Sequence, residues 1–184
     1  MLFSEENVYI VGRSTKRKKD IIAKEFNIIN KTLTHIGVGI FENNMLRIYS
    51  ISNYNLVKDV SALVIESIDE FINVDDISYY SIWEKKCSKT DIANLKINVQ
   101  RYQTKNIIFD YDFKMDNGKL YCSEFVYLLL KETNISNLEF FPTKKKLNRF
   151  YSKALKRNIL EYIPTDFFLE SKEFKLVYTF NINK

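Results

Sequence analysis

Cys122 opens an apolar run, Tyr121-Cys122-Ser123-Glu124-Phe125-Val126-Tyr127-Leu128-Leu129-Leu130, just after the turn Asp116-Asn117-Gly118. That spacing puts a thiol at or near a helix N-terminus, where free N–H groups and the positive dipole end favour a thiolate. A nucleophilic cysteine also needs a base, and the chain holds one histidine, His35. His35 lies in the strand-like stretch Thr32-Leu33-Thr34-His35-Ile36-Gly37-Val38-Gly39-Ile40-Phe41. Alternation puts Thr34, Ile36, Val38 and Ile40 on one face and His35, Gly37 and Gly39 on the other. Two of the four glycines thus stand beside the one imidazole. Glycine inside a strand usually marks the close approach of something else. The pattern alone leaves two readings open at each position. Cys122 is a nucleophile or an inert core residue; His35 faces cleared space or is packed on a bulged strand.

The neighbouring polar residues invite less chemistry. Glu124 is expected to compensate the helix dipole, and Ser123 to be a helix-start residue without a chemical role. Asp110 and Asp112 either shape a cleft or hold a turn. Cys87, in Lys85-Lys86-Cys87-Ser88-Lys89, reads as incidental.

The totals bound the rest. A chain of 184 residues suits one domain, residues 1–184, with a real core. The net charge of +5 permits an anionic partner, a membrane surface or a nucleic acid, without requiring one. The lysine clusters have no helix-turn-helix or RNP-like motif beside them, so they give a nucleic-acid reading little support. Two cysteines make no disulfide framework, and one histidine with two cysteines builds no recognisable zinc site. Neither metal nor cofactor is expected. No stretch approaches the ~20 apolar residues of a membrane span. Met1-Leu2-Phe3-Ser4-Glu5-Glu6 lacks a basic start and an apolar core, so the expected location is cytoplasmic, with a trimmed exported protein left open. Oligomeric state is not legible.

The elements that must position the pair follow from periodicity. Val8–Gly12 reads as a strand, and Lys16–Phe26 as a helix capped by Ser14 or Thr15, its Lys16-Arg17-Lys18-Lys19 start a solvated face. Glu42-Asn43-Asn44 turns the chain into a returning strand, Met45–Ile51, with Leu46, Ile48 and Ser50 on one face and Arg47 and Tyr49 on the other. Val60–Ile65 and Ile77–Trp83 read as strands; Ser67 to Phe71 as a capping-box start and short helix; Asp91–Tyr102 as a helix. Pro142 is expected to open a basic helix with Leu147, Phe150, Tyr151 and Leu155 on one side. That side faces the core or lies on an anionic membrane. A turn at Pro164 leads to a closing strand, Phe174–Phe180. The expected class is α+β, an antiparallel sheet or barrel packed against helices.

Three segments in this order carry a family resemblance: Thr34-His35-Ile36-Gly37, Phe109-Asp110-Tyr111-Asp112-Phe113, and Tyr121-Cys122-Ser123-Glu124-Phe125-Val126. Together they resemble the circularly permuted papain-like enzymes of the NlpC/P60 superfamily, in particular the YiiX/YaeF-like group. There the histidine strand precedes the cysteine helix. Val11-Gly12-Arg13-Ser14 resembles the group's opening strand, and Ile163-Pro164-Thr165-Asp166 followed by Phe174 to Tyr178 its C-terminal segment. The resemblance implies a permuted papain-like fold and thiol-dependent cleavage of an amide or ester, with acyl transfer in one branch. It makes Cys122 the nucleophile, His35 the general base and Ser50 the third polar residue, on the strand after the histidine. Tyr121, Asp112 and Gly37 are expected to line the substrate site.

Two departures stand out. Serine orients an imidazole less firmly than a carboxylate does, and Glu6-Asn7 replaces the Gly-Asp pair that often precedes the group's first strand. The helix dipole and His35 are expected to draw the thiol pKa from ~8.5 toward ~3.5–7.5. The expected function is a thiol hydrolase acting on a peptide, amide or lipid-acyl substrate through an acyl-enzyme. The alternative is a non-catalytic lipid- or peptide-binding module on the same fold.

Overall fold

The structure, a computed structural model, describes residues 3–16, 21–53, 61–135 and 142–182. Its frame is a six-stranded antiparallel sheet in which β4 (Leu63–Ser67), β3 (Met45–Ile51), β2 (His35–Glu42), β1 (Asn7–Thr15), β5 (Ile77–Lys86) and β8 (Lys175–Asn181) lie side by side in that order. β1 is central, between β2 and β5. Ser14 and Thr15, read above as helix caps, are instead strand residues opposite Tyr79 and Ile77, with a register shift between them. α1 spans only Ile21–Phe26. Most of the expected helical start, residues 17–20, lies outside the described residues, and Lys16 stands in a bend. β2 turns into β3 (Met45–Ile51) through Asn43 and Asn44, both left-handed at φ 50° and 60°. Asparagine tolerates that conformation, and a turn of this hand matches the twist of the flanking strands.

The expected alternation sorts the sheet into two packed faces. Ile10, Ile36, Val38 and Tyr49 meet Phe125, Val126, Leu129 and Leu130 of α4 (Cys122–Glu132) in the larger core. α3 (Lys89–Gln103) adds Leu95 and Val99 to it, and its Ser88–Asp91 capping box sets its start. On the other face Tyr9, Val11, Leu46, Ile48 and Ile82 surround Phe71 of α2 (Ile68–Ile72). The capping box expected at Ser67 forms with Glu70. β4 runs over Leu63–Ser67, later than expected, and Val60 is outside the described residues.

The basic helix expected from Pro142 is not continuous. Thr143–Lys146 forms β6, paired antiparallel with β7 (Ile159–Tyr162), which alternation over so short a stretch did not reveal. Only then does α5 (Arg149–Leu155) begin, capped by Asn148, whose Oδ1 accepts from the Tyr151 amide at 3.0 Å. Lys156, left-handed at φ 52°, ends it. After a 3₁₀ turn at Phe167–Leu169, β8 (Lys175–Asn181) joins the edge of the sheet beside β5.

Asp166 ties the C-terminal segment to the loop after α1. Its buried carboxylate accepts from the amides of Ile28, Ile29 and Asn30 at 3.1, 2.5 and 2.6 Å. Asp166→Ala strips all three donors of their acceptor. The expected cost is about 3 kcal/mol, since hydrogen bonds to a buried charge are the strong ones, and urea unfolding measures it. A loss near zero would show that the loop is held by other contacts.

Candidate active site

The start of α4 is fixed by the segment before it and by Ile163. Leu120 bridges in parallel to Phe109, and Asp110 accepts from the amides of Asp112 and Lys114 at 2.8 and 2.6 Å. Asp110 therefore holds the turn. Tyr121 caps the helix with extended backbone, φ −117°. Its hydroxyl accepts from the Ile163 amide at 2.7 Å, and the Ser123 hydroxyl donates to the Ile163 carbonyl at 2.7 Å. Ser123 thus has a structural role. Cys122 is the first residue of the helix, as its position after the turn predicts.

The backbone amides of Ile36, Ser123 and Cys122 itself face the Cys122 sulfur and favour a thiolate. Burial outweighs them and pushes the thiol up from its ordinary value. This corrects the expectation of a depressed thiol pKa: the low-dielectric surroundings of the sulfur penalise charge more than three amides reward it. Burial, followed by the positive field of Arg13, holds His35 well below the usual histidine range. At neutral pH the pair is an uncharged thiol and an uncharged imidazole. No hydrogen bond joins His35 to Cys122 among the described residues. Such contacts are often long before substrate is bound.

His35 is the first residue of β2. Its Nε2 stands 3.3 Å from the Ser50 Oγ, and its ring stacks on Phe71 at 5.5 Å and 23°. Arg13 is opposite His35 in the strand register, fully buried, with its guanidinium 4.3 Å from the Phe71 ring centre. It also donates to the Phe71 carbonyl. Phe71 therefore braces both the imidazole and the cation. Sequence reasoning passed over Arg13. A lone charge closing the apolar run Val8-Tyr9-Ile10-Val11-Gly12 was the available signal.

A cleft of about 680 Å³ opens where the ends of β1, β2 and β3 meet the start of α4. His35, Cys122, Tyr121 and Asp112 line it. Ser50 does not; it is fully buried behind the imidazole. Gly37 does not line it either. A Cβ on Gly37 would meet Ile48 Cγ2 at 2.6 Å and the Tyr49 carbonyl oxygen at 2.9 Å. The space cleared by this glycine is filled by β3, not by a ligand. Glu124 is more than a dipole partner. Its carboxyl accepts from the Tyr121 amide, while burial and the charges of Asp110 and Asp116 push its pKa up to about 8. Cys87 is half-buried against the larger core, and burial raises its thiol too.

No family model matches the chain, and no curated protein matches it. A solved structure does: the metalloprotein YiiX from Escherichia coli O157:H7, with a TM-score of 0.67 at 13% identity, covering 96% of this chain and 98% of that one. The fold is YiiX-like. At that identity the likeness concerns the fold alone: a mixed α+β chain with an antiparallel sheet packed against helices. YiiX is described as a metalloprotein. Among the described residues of this chain, no three His, Cys, Asp or Glu side chains are grouped so as to hold a metal ion. The single imidazole turns its Nε2 to Ser50 and stacks its face on Phe71. The donor set does not fit such a group. No described helix is long and apolar enough to cross a membrane.

Proposed function

We propose that the chain is a single permuted papain-like domain of the NlpC/P60 type and a thiol hydrolase that cleaves an amide or ester through an acyl-enzyme on Cys122. One observation supports this above the others. The only histidine and a helix-starting cysteine, 87 positions apart, line one cleft, with a serine hydroxyl behind the imidazole. In this reading His35 takes the thiol proton as the sulfur attacks the carbonyl carbon. The C–S bond forms, the bond to the leaving group breaks, and the leaving group receives the proton from His35. Water, or an acceptor alcohol or amine, then attacks the thioester and releases Cys122. The Cys122 backbone N–H, at the head of α4, faces the developing oxyanion, where one donor is worth roughly 2.7–4 kcal/mol. Because burial favours the uncharged thiol, His35 acts during attack and not as the resting partner of a thiolate.

A p-nitrophenyl acyl ester tests the reading. The expected result is a burst of nitrophenolate equal to the protein present and an acyl mass on the peptide carrying Cys122. An adduct on Cys87 alone, or none, would overturn it. The non-catalytic binding module, which the serine at the third position favours, would then stand in its place.

A further inference from the structure

Residues 142–162 carry seven Lys or Arg and one Glu, a net +6, while the whole chain has +5. The rest of the chain is therefore slightly acidic, and its basic character is gathered in one segment. That segment is β6, α5 and β7, from which Phe150, Tyr151, Ala154, Leu155, Leu160 and Tyr162 line the cleft. Several of its cations are already engaged. Lys144 pairs with Glu161 at 3.7 Å, Lys145 donates to the Glu25 carbonyl at 3.0 Å, and Arg157 donates to the carbonyls of Asp112 and Phe113. Lys146, Arg149, Lys153 and Lys156 are exposed, and none has an ion pair among the described residues.

α5 has no buried residue. Phe150 on it is 74% exposed yet lines the cleft, and Tyr111, 58% exposed, lines it from the segment before the cysteine helix. Behind these two rim aromatics the walls are Phe26, Phe109, Phe113 and Leu160. An exposed aromatic at the cleft, on a segment that carries unpaired cations outside the cleft lining, suits an anionic bilayer surface, which draws the cations electrostatically and accepts the aromatics at headgroup depth. A soluble polyanion would match the charges but leave Phe150 in water.

We infer that α5 and the Tyr111 rim seat the mouth of the cleft on an anionic membrane, from which the cleft takes the acyl chain of a lipid ester. The membrane surface stands on charge and exposure alone. The acyl-ester substrate rests on the thiol-hydrolase reading.

Co-sedimentation with phosphatidylcholine vesicles, with or without phosphatidylserine, tests the surface. The protein is expected to sediment only when phosphatidylserine is present. Lys153→Ala and Lys156→Ala should each weaken partitioning about fivefold, and Phe150→Ala about tenfold. None of these side chains is buried, so the variants keep the fold. Absence of binding to the anionic vesicles overturns the inference. So does Phe150→Ala leaving binding unchanged while duplex DNA competes fully, since the surface is then a polyanion site. Cys122→Ala should bind vesicles like the wild type. Vesicle binding with no acyl adduct on Cys122 would remove the hydrolase and keep the surface. An adduct without vesicle binding would remove the surface and keep the hydrolase.

Discussion

Replacing His35 with alanine slows acylation of Cys122 by about 10²–10⁴-fold, the usual contribution of a positioned general base. The measurement is the burst rate with an activated ester in stopped flow. The thiol is protonated at rest, because burial raises its pKa, so no preformed thiolate substitutes for the missing base. The pH dependence carries a signature of its own. His35 is held below its ordinary 6.5 by burial and by Arg13, so it stays a base as pH falls through 6.5, and the acid limb of the rate lies lower. Arg13→Met removes a like charge, favours the imidazolium, and moves that limb back toward 6.5. Stability has the same sign. The unfolded chain holds the His35 proton more tightly, so the contribution is complete above 6.5 and is lost as pH falls toward the folded value. An unchanged burst rate in His35→Ala would remove His35 from the chemistry.

Phe71→Ala is expected to cost about 3–5 kcal/mol, the range for emptying a buried aromatic site. Phe71 is fully buried at the centre of the second core and carries the imidazole on its ring, with the Arg13 guanidinium close to it. Urea unfolding measures the loss. Phe71→Leu keeps most of the volume and should cost less, yet it removes the flat surface on which His35 stacks. Its burst rate should therefore fall by more than its stability suggests. A loss under about 1 kcal/mol for the alanine variant would mean that the surroundings collapse onto the site.

The strands were legible because their alternation is long. Ile36, Val38 and Ile40 against Gly37 and Gly39 already states which face meets the helix. The two capping boxes were of unequal visibility. Ser67 and Glu70 showed at once, whereas Ser88 and Asp91 were hidden in a lysine-rich stretch, and α3 starts earlier than its apolar spacing implied. The tract from Pro142 misled because three lysines in a row have no period. Pairing with Ile159–Tyr162, a non-local fact, decides that it is a strand. Within the site, Cys122 and His35 were legible as residue types beside a turn and a pair of glycines. Their pKa values were not, since desolvation depends on what surrounds a group in space. Arg13 was missed for that reason, and Glu124 was read only as a dipole partner, the importance of both coming from burial.

The central place of β1 sets the order in which this molecule can be assembled. β1 spans residues 7–15, yet one edge pairs with a strand starting at 35 and the other with one starting at 77. The helix bearing Cys122 docks on β2 later still in the chain. Most of the closing contacts join distant parts of the sequence, which places folding toward the slow end of the range for small domains. The cleft needs β1, β2, β3 and α4 together. β8 pairs with β5 alone, at the far edge of the sheet. Of the six strands in the sheet, the one synthesised last is thus the one whose late arrival least disturbs the Cys122–His35 cleft.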